Sequence, residues 1–593
     1  MMGFHGKVLE VNLKNSSVRE IEIKEELIRK FVGGCGLGAA LLYNKISSNI
    51  PPLSSESPIA FLTGMFTGLT PFSGRHAVVG RSPLTNLWGE STSGGFFGVA
   101  IKKSGIDGII ITGKAEKPVY LYIANGEVEF RNAKELWGKN TSETIEIINK
   151  ETDKKARVAC IGPAGENLVK YACIVNDTHR AAGRTGLGAL MGSKNLKAIA
   201  VLGEIGLPDV ADEKSLKEYY GELLEKVASN PARELWHTYG TLMYTTQGYE
   251  LGDTPSKYFT EGVFPAFKIS GETMLEKYEV KSEGCANCPV ICGHRVRGVK
   301  MEYESVSSLG SLCGVYDLDV ILDAANYCNE AGLDVISSGV TVAFAMYLTE
   351  KGVLKDGIKF GDGKALLETL RNIVKREGLG NILAEGTRSA AKTFGVDLEE
   401  AANVKGLEIP MHDPRAFSMM ALTYVTSSRG ACHLHSDYFT VDIAAAPVPE
   451  LGVLPTNRFD ESEDKIKMQV IHQSAKEVWN SYILCMLGLI SINDAAKFHS
   501  AIIGESITPT DIAKIGERTY MLKRMINIRL GMRREDEKLP QIVRRPLKKG
   551  GTKGYSPNVE KMLDIYYKIR GIDEKGHPTK EKLEELDLKD FSL

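Results

Sequence analysis

The chain has 593 residues, 43% hydrophobic and 25% charged, and its 75 acidic and 73 basic side chains leave a formal charge of −2. That balance excludes intrinsic disorder and leaves no polybasic footprint for nucleic acid. The length exceeds what a single core holds, so two to four domains are expected.

The opening Met1-Met2-Gly3-Phe4-His5-Gly6 lacks the charged, apolar and small-residue zones of a secretory leader, and a cytoplasmic location is expected. Lys7–Leu13 and Ser17–Ile23 alternate with period two about Asn15-Ser16, which predicts a hairpin. Short β-branched runs follow at Ile59–Thr63, His76–Gly80, Gly108–Thr112, Val119–Ile123 and Arg157–Ile161, set apart by glycine. After Leu207-Pro208-Asp209 the pattern turns helical. Helices are expected over Glu213–Ser229, Leu318–Glu330, Asp334–Glu350, Lys364–Glu377 and Ile382–Phe394. The apolar stretch Gly339–Leu348 is too short to cross a bilayer and suits a buried helix. The chain therefore reads as α+β: a β-rich domain over 1–208, a helical domain over 209–400, and a C-terminal helical domain over 401–593.

Two segments are dense in glycine and arginine, Ser73-Gly74-Arg75-His76 running on to Trp88–Gly98, and His179–Gly188. Glycine lets backbone N–H groups approach a ligand, and arginine offers a donor fork matched to phosphate, so an anionic phosphate-bearing ligand is one reading. Tight turns between strands are the other. Neither segment has the order of a dinucleotide fingerprint or a P-loop.

Cys285-Ala286-Asn287-Cys288-Pro289-Val290-Ile291-Cys292 packs three thiols into eight residues, with Cys485 far downstream. A short loop holding three corners of a cubane, closed by a distant fourth ligand, reads as one [4Fe–4S] cluster. Structural zinc more often takes two cysteine pairs. The other six cysteines, Cys35, Cys160, Cys173, Cys313, Cys328 and Cys432, are expected to be small buried residues in a reducing compartment.

Gly6–Leu13, Phe31-Val32-Gly33-Gly34-Cys35-Gly36-Leu37-Gly38, Ser82-Pro83-Leu84-Thr85, Trp88-Gly89-Glu90, Arg180-Ala181-Ala182-Gly183-Arg184 and the cysteine spacing form one set that runs nearly end to end. In that set the chain resembles the tungsten-containing aldehyde:ferredoxin oxidoreductases. The resemblance implies a β-structured cofactor-binding base domain followed by two helical domains. It implies one tungsten between two pyranopterin dithiolenes, with molybdenum taking the same ligands, beside a [4Fe–4S] cluster, and Mg2+ bridging the pterin phosphates. Carried over, Arg75, Thr92, Gly94, Arg180, Ala181, Gly183 and Arg184 line the pterin, and Cys285, Cys288, Cys292 and Cys485 hold the cluster. The family's Asp-x-x-Gly-Leu-Asp and Asp-x-x-Gly-Leu-Cys motifs stand here as Asn329-Glu330-Ala331-Gly332-Leu333-Asp334 and Asn480-Ser481-Tyr482-Ile483-Leu484-Cys485. Leu333 and Asp334 keep the pattern, while Asn329 and Asn480 lose a charge and with it bond strength toward pterin. The Glu-x-x-His that binds a bridging iron in some members is replaced by Asp323-Ala324-Ala325-Asn326, so that iron is not expected, and a homodimer loses its main sequence support.

Met301–Ser305 and Arg429–His435 match segments that reach the family's active site. Glu304 is the expected proton acceptor for water attacking the aldehyde carbon, His433 the donor to the developing oxygen charge, and Tyr303 a further donor. His435 is assigned to cofactor contact, and Tyr424, Ser436 and Asp437 to the substrate pocket. The implied reaction is RCHO + H2O → RCOOH + 2 e− + 2 H+, its electrons leaving singly to ferredoxin or a separate iron–sulfur subunit. A change of substrate on the same cofactor, as in a catalytic subunit reducing aromatic acyl-CoA thioesters, is the first alternative. A zinc-binding structural protein is the second.

Overall fold

The structure is a computed structural model that describes residues 1–177 and 179–591. Twelve strands form two six-stranded sheets in the first 202 residues. The first sheet comprises β1 (Lys7–Asn12), β2 (Ser17–Glu22), β3 (Ile59–Leu62), β4 (His76–Arg81), β5 (Trp88–Ser93) and β6 (Gly108–Thr112) in the order β2-β1-β6-β3-β4-β5. The second comprises β7 (Val119–Ala124), β8 (Glu127–Asn132), β9 (Arg157–Cys160), β10 (Ile174–Asn176), β11 (Arg180–Ala182) and β12 (Leu196–Leu202) in the order β11-β10-β9-β12-β7-β8. The expected hairpin is present, β1 pairing antiparallel with β2 from Lys7↔Glu22 to Asn12↔Ser17.

Alternation along the strands decides what each sheet covers. Leu9, Val11, Ile59, Phe61, Ile109 and Ile111 point into a core shared with Leu121, Ile123, Ile199 and Val201 of the second sheet. Their neighbours Val8, Ala60, Leu62, Ala77, Val79 and Ile110 point the other way, into the large core built with the helices. Tyr120, Val158, Ala198 and Ala200 face a third core beneath the helix Thr141–Glu151.

Helices dominate from Glu213 onward. Glu213–Ala228, Leu318–Ala331, Val335–Glu350 and Gly363–Lys375 form close to where their periodicity predicts. Val335–Glu350 is buried from Ile336 through Leu348, and among the described residues no single helix is long and apolar enough to cross a membrane. One expected helix is broken: Ile382–Phe394 divides into Leu379–Leu383 and Thr387–Phe394. Gly386 takes φ +85, and Glu408 Oε1 accepts from both the Thr387 backbone N–H at 2.9 Å and its hydroxyl at 3.0 Å, so the second helix starts on a buried carboxylate. A three-stranded sheet, β13 (Val280–Glu283), β14 (Gly293–Val296) and β15 (Val299–Met301), carries the cysteine loop between its first two strands.

Candidate active site

The four cysteines converge on the backbone of Phe72. Its N–H donates to Asn287 O at 3.1 Å within the cysteine loop, and its carbonyl accepts the N–H of Cys485 at 3.0 Å. Ala286 N–H reaches Gly95 O at 3.0 Å and the Asn287 amide reaches Gly68 O at 2.8 Å, so the loop is sewn to the β-rich domain from both sides. Cys485 arrives from the helix Glu463–Tyr482, which ends on Ile483 at φ 65, ψ 42. A β-branched residue in the left-handed region costs of order 1–3 kcal/mol, where a glycine would sit without strain. Burial pushes the Cys288 and Cys292 thiols up, and Cys485 and Cys285 add to both shifts, which places the four thiols within electrostatic reach. Three ligand atoms lie within 4.8 Å of one another at Glu304/His412/His433 and at Glu90/His435/Glu477, and the cysteine sulfurs form no such group among the described residues.

Arg180, in β11, joins the arginine-rich segment to that loop. Its guanidinium lies 3.4 Å from both the carbonyl and the carboxylate of Glu283, and Cys285 and Cys292 help raise its pKa against the effect of burial. Arg75 donates to Thr92 O and Oγ1 at 3.2 and 3.0 Å, and the Gly94 backbone lies against Cys285. Ala181 pairs with Val175 across β10 and β11, and a Cβ added to Gly183 would meet no atom within 4 Å. Arg184 Nε is 2.9 Å from Asp334 Oδ2, its Nη2 donates to Glu408 O at 2.7 Å, and its backbone N–H donates to Ser91 Oγ at 3.3 Å. Asp334 also caps Val335–Glu350 by accepting from Ile336 N–H at 2.9 Å, which explains an aspartate there independently of any cofactor. Leu333 is buried with its N–H on Cys328 O. Asn329 is half-buried and its carbonyl accepts from Thr141. Asn480 is buried. Buried arginines and an open glycine fit an anionic, multiply hydrogen-bonding cofactor.

Glu304 and His433 do come together. Glu304 sits in the first turn of the helix Tyr303–Leu309, and His433 opens the short turn His433–His435. Glu304 Oε1 is 3.5 Å from His433 Nδ1 and 3.8 Å from His412 Nε2, while Oε2 accepts from Met411 N–H at 3.0 Å. Burial raises the Glu304 carboxyl above the ordinary carboxylate range, with His412 and the Met411 N–H opposing. Burial, then His412, Arg184 and Arg429, hold His433 well below the ordinary imidazole range, so it is neutral. The Tyr303 hydroxyl lies 2.6 Å from the Met411 carbonyl and 2.9 Å from Thr254 Oγ1. Here its proton goes to the backbone carbonyl.

Sequence reading missed His412 and Asp253. His412 Nδ1 lies 2.5 Å from Asp253 Oδ2, and Tyr244 donates to the same oxygen at 2.9 Å. Asp253 and His412 are 159 residues apart, and no spacing rule links them.

His435 does not reach outward to a ligand. Its Nε2 lies 2.8 Å from Glu90 and its Nδ1 3.0 Å from Glu477, and Lys523 Nζ is 2.6 Å from both carboxylates. Burial opposes charge on the ring, but Glu477, Cys432 and Glu90 carry its pKa up to about 9. Both ring nitrogens of His435 thus lie within this buried ion network. Cys432 also departs from inert packing, since Arg429 Nη2 is 2.7 Å from its sulfur and, against burial, Arg429 and His435 lower the thiol pKa. In the expected pocket segment, Tyr424 donates to His412 O at 2.7 Å, Ser436 contacts Gln469 and His472, and Asp437 pairs with Lys476 at 2.9 Å.

A paired-sheet base carrying buried arginines, four convergent cysteines on the adjoining helical region, and a carboxylate–imidazole pair define a cofactor-dependent oxidoreductase. Two family profiles cover nearly the whole chain: aldehyde ferredoxin oxidoreductase, N-terminal domain, over residues 8–203, and domains 2 and 3 over residues 218–588. The chain belongs to the aldehyde ferredoxin oxidoreductase family. It is 39% identical over 612 residues to the tungsten-containing aldehyde ferredoxin oxidoreductase of Pyrococcus furiosus, covering 100% of both chains. It is 31% identical to the WOR-like subunit of an aliphatic sulfonate oxidoreductase from the same organism, over 99% of this chain and 97% of that one. Among solved structures, the active-site complex BamBC of benzoyl coenzyme A reductase, bound to 1,5-dienoyl-CoA, superposes with a TM-score of 0.86 at 28% identity, over 100% and 98% of the two chains.

Proposed function

We propose that this chain oxidises aldehydes to carboxylic acids with water as the oxygen source and ferredoxin as electron acceptor. The observation that supports it most is correspondence over 100% of both chains with a tungsten-containing aldehyde ferredoxin oxidoreductase, in a fold that brings Glu304 beside His433. Arg75, Thr92, Gly94, Arg180, Ala181, Gly183 and Arg184 would hold a tungsten bis-pyranopterin, with Mg2+ on its phosphates, and Cys285, Cys288, Cys292 and Cys485 a [4Fe–4S] cluster. When bound, those groups supply a two-electron acceptor and a one-electron exit.

The protein's share is acid–base chemistry and placement. Glu304 takes a proton from the attacking water, its raised pKa bringing it nearer to working pH as a base. Neutral His433 holds an N–H for the substrate oxygen without setting a fixed cation in the site. Arg180, spanning the arginine segment and the cysteine loop, places positive charge where electrons leave.

Elemental analysis of anaerobically purified protein, with aldehyde-dependent reduction of a low-potential acceptor, tests the reading. About one tungsten and four irons per chain with turnover are expected; zinc alone, or no aldehyde turnover in cofactor-replete protein, would overturn it. The likeness to the benzoyl coenzyme A reductase complex favours a second reading, a catalytic subunit within a larger assembly acting on another substrate. Stable co-purification with iron–sulfur or flavin subunits would select it.

A further inference from the structure

We propose that His412 and Asp253 form a proton relay behind Glu304: the imidazole takes through Nε2 the proton that Glu304 has accepted from water, while Asp253 holds Nδ1. The inference rests on the aldehyde-oxidation reading and assigns a step that reaction needs, the return of Glu304 to its carboxylate form.

Three consecutive residues build the arrangement. Met411 N–H donates to Glu304 Oε2 at 3.0 Å, which leaves Oε1 as the oxygen facing the two imidazoles. Oε1 accepts no hydrogen bond among the described residues, although it is buried. Asp413 N–H donates to the Asp253 carbonyl at 2.7 Å, tying the other end of the triplet to the residue that grips the imidazole. His412 between them has Asp253 Oδ2 at 2.5 Å on Nδ1 and Glu304 Oε1 at 3.8 Å on Nε2. Its ring stacks on Phe439 at 4.4 Å and its carbonyl accepts from Tyr424, so it cannot swing away. A carboxylate on Nδ1 fixes the tautomer whose Nε2 lone pair faces Glu304 and stabilises the imidazolium that follows.

His433 touches the same oxygen at 3.5 Å but pairs with no second carboxylate among the described residues, and burial with the neighbouring Arg184 and Arg429 keeps it neutral. The groups facing His412 are Asp253, Tyr244, Tyr303, Glu304, His433 and Asp437, with Arg458 and Asp413 acting on Asp253 and Arg184 and Asp334 on Glu304. Against burial, Asp253, Glu304 and Asp437 raise the His412 pKa, as an acceptor for a carboxyl proton requires.

The step balances. Aldehyde oxidation with water as the oxygen source releases two electrons, which pass on to ferredoxin, and two protons; the proton taken from water enters the Glu304 carboxylate, crosses to His412 Nε2 and leaves the imidazolium to bulk water, while the aldehyde C–H hydrogen, its electrons gone, is released to water as the second. Glu304 and His412 are then restored for the next turnover.

The test reads Glu304 directly. Infrared difference spectra of the holoenzyme without aldehyde, titrated in pH, follow the protonated carboxyl stretch that Glu304→Gln removes. In His412→Gln and Asp253→Asn the pH at which that carboxyl ionises is expected to rise by about one unit, since the base that takes the carboxyl proton and then stands as an imidazolium beside the carboxylate is gone or weakened. The acid limb of kcat/KM should move with it, and kcat should fall about 10²-fold with little change in KM. Asp253→Asn is isosteric and carries the test if His412→Gln does not fold. An unmoved carboxyl titration and an unmoved acid limb in the folded variants would overturn the relay. Because the titration needs no aldehyde, absence of aldehyde turnover in wild-type holoenzyme would instead sink the assigned reaction.

Discussion

A Cβ on Gly94 would stand 2.7 Å from the sulfur of Cys285, a contact that puts the end of β5 in the wall of the cysteine cradle. The cradle is therefore built by two parts of the chain 191 residues apart (285 − 94), and its width depends on the missing side chain. Gly94→Ala is expected to force the cysteine loop outward at a cost of about 1–3 kcal/mol. Iron per chain and the brown charge-transfer absorption should fall. A variant with full iron content would show that the loop yields freely.

Asp334 serves two masters, the Arg184 guanidinium and the N-terminus of Val335–Glu350. Asp334→Ala removes a cap worth about 0.5–2 kcal/mol and leaves a buried arginine without its partner, a loss of about 3–5 kcal/mol. Asp334→Asn keeps the cap, so it should be the milder variant. Thermal unfolding of both proteins measures that cap as the gap between them, and equal Tm values would deny it its weight; an Asp334→Asn protein with the wild-type Tm would deny the ion pair its own.

Much of this was legible before the fold was known, for identifiable reasons. Alternation in Lys7–Asn12 gave both the strand and its two faces, because Val8 and Leu9 must enter different cores. The convergence of the cysteine loop was legible because three of its four thiols are local in sequence, Cys485 excepted. What stayed hidden depends on long-range contact. Asp253 lies on no motif, and only packing brings it to His412; the same holds for Glu477 and Lys523, which claim His435. The break at Gly386 was readable in principle, since Gly386-Thr387 is a helix-start signal inside the apolar period.

The buried His435 network sets a pH dependence whose sign can be worked out. Folding raises the His435 pKa from 6.5 to about 9, so the folded protein binds the proton more tightly. Its stabilisation is complete below the unfolded value of 6.5 and is lost as pH rises through about 9, about 3 kcal/mol for that shift. Glu90 and Glu477, both depressed by Lys523 and His435 against burial, act oppositely: their stabilisation is lost as pH falls below the ordinary carboxylate range. Urea unfolding between pH 6 and 10 should show wild-type stability declining more steeply than that of His435→Gln. Parallel curves would mean that His435 is already neutral.

Glu304→Gln should keep metal and cluster, because none of the groups around Glu304 is a cysteine of the cradle, yet lower turnover about 10²–10⁴-fold. In wild type the carboxylate is the working form, so kcat/KM should rise with pH through a value above the ordinary 4.5 of a glutamate. Full activity in the variant, or a pH profile flat on the acid side, would remove Glu304 from the chemistry.

Gly183 separates cofactor space from folding. It lies between β11 and the helix Leu187–Gly192, next to buried Arg184, and an added Cβ would meet no protein atom within 4 Å. Gly183 is outside the set of glycines with positive φ, so a larger residue carries no backbone strain there. Gly183→Val should therefore leave the stability of the cofactor-free chain within about 0.5 kcal/mol of wild type. Tungsten and pterin per chain should nonetheless drop, because the valine methyls enter the space that the arginine segment surrounds. Measuring Tm on cofactor-free protein and metal on replete protein keeps the two effects apart. A folded variant with full tungsten content would move the cofactor away from Gly183 and take the assignments of Ala181 and Arg184 with it.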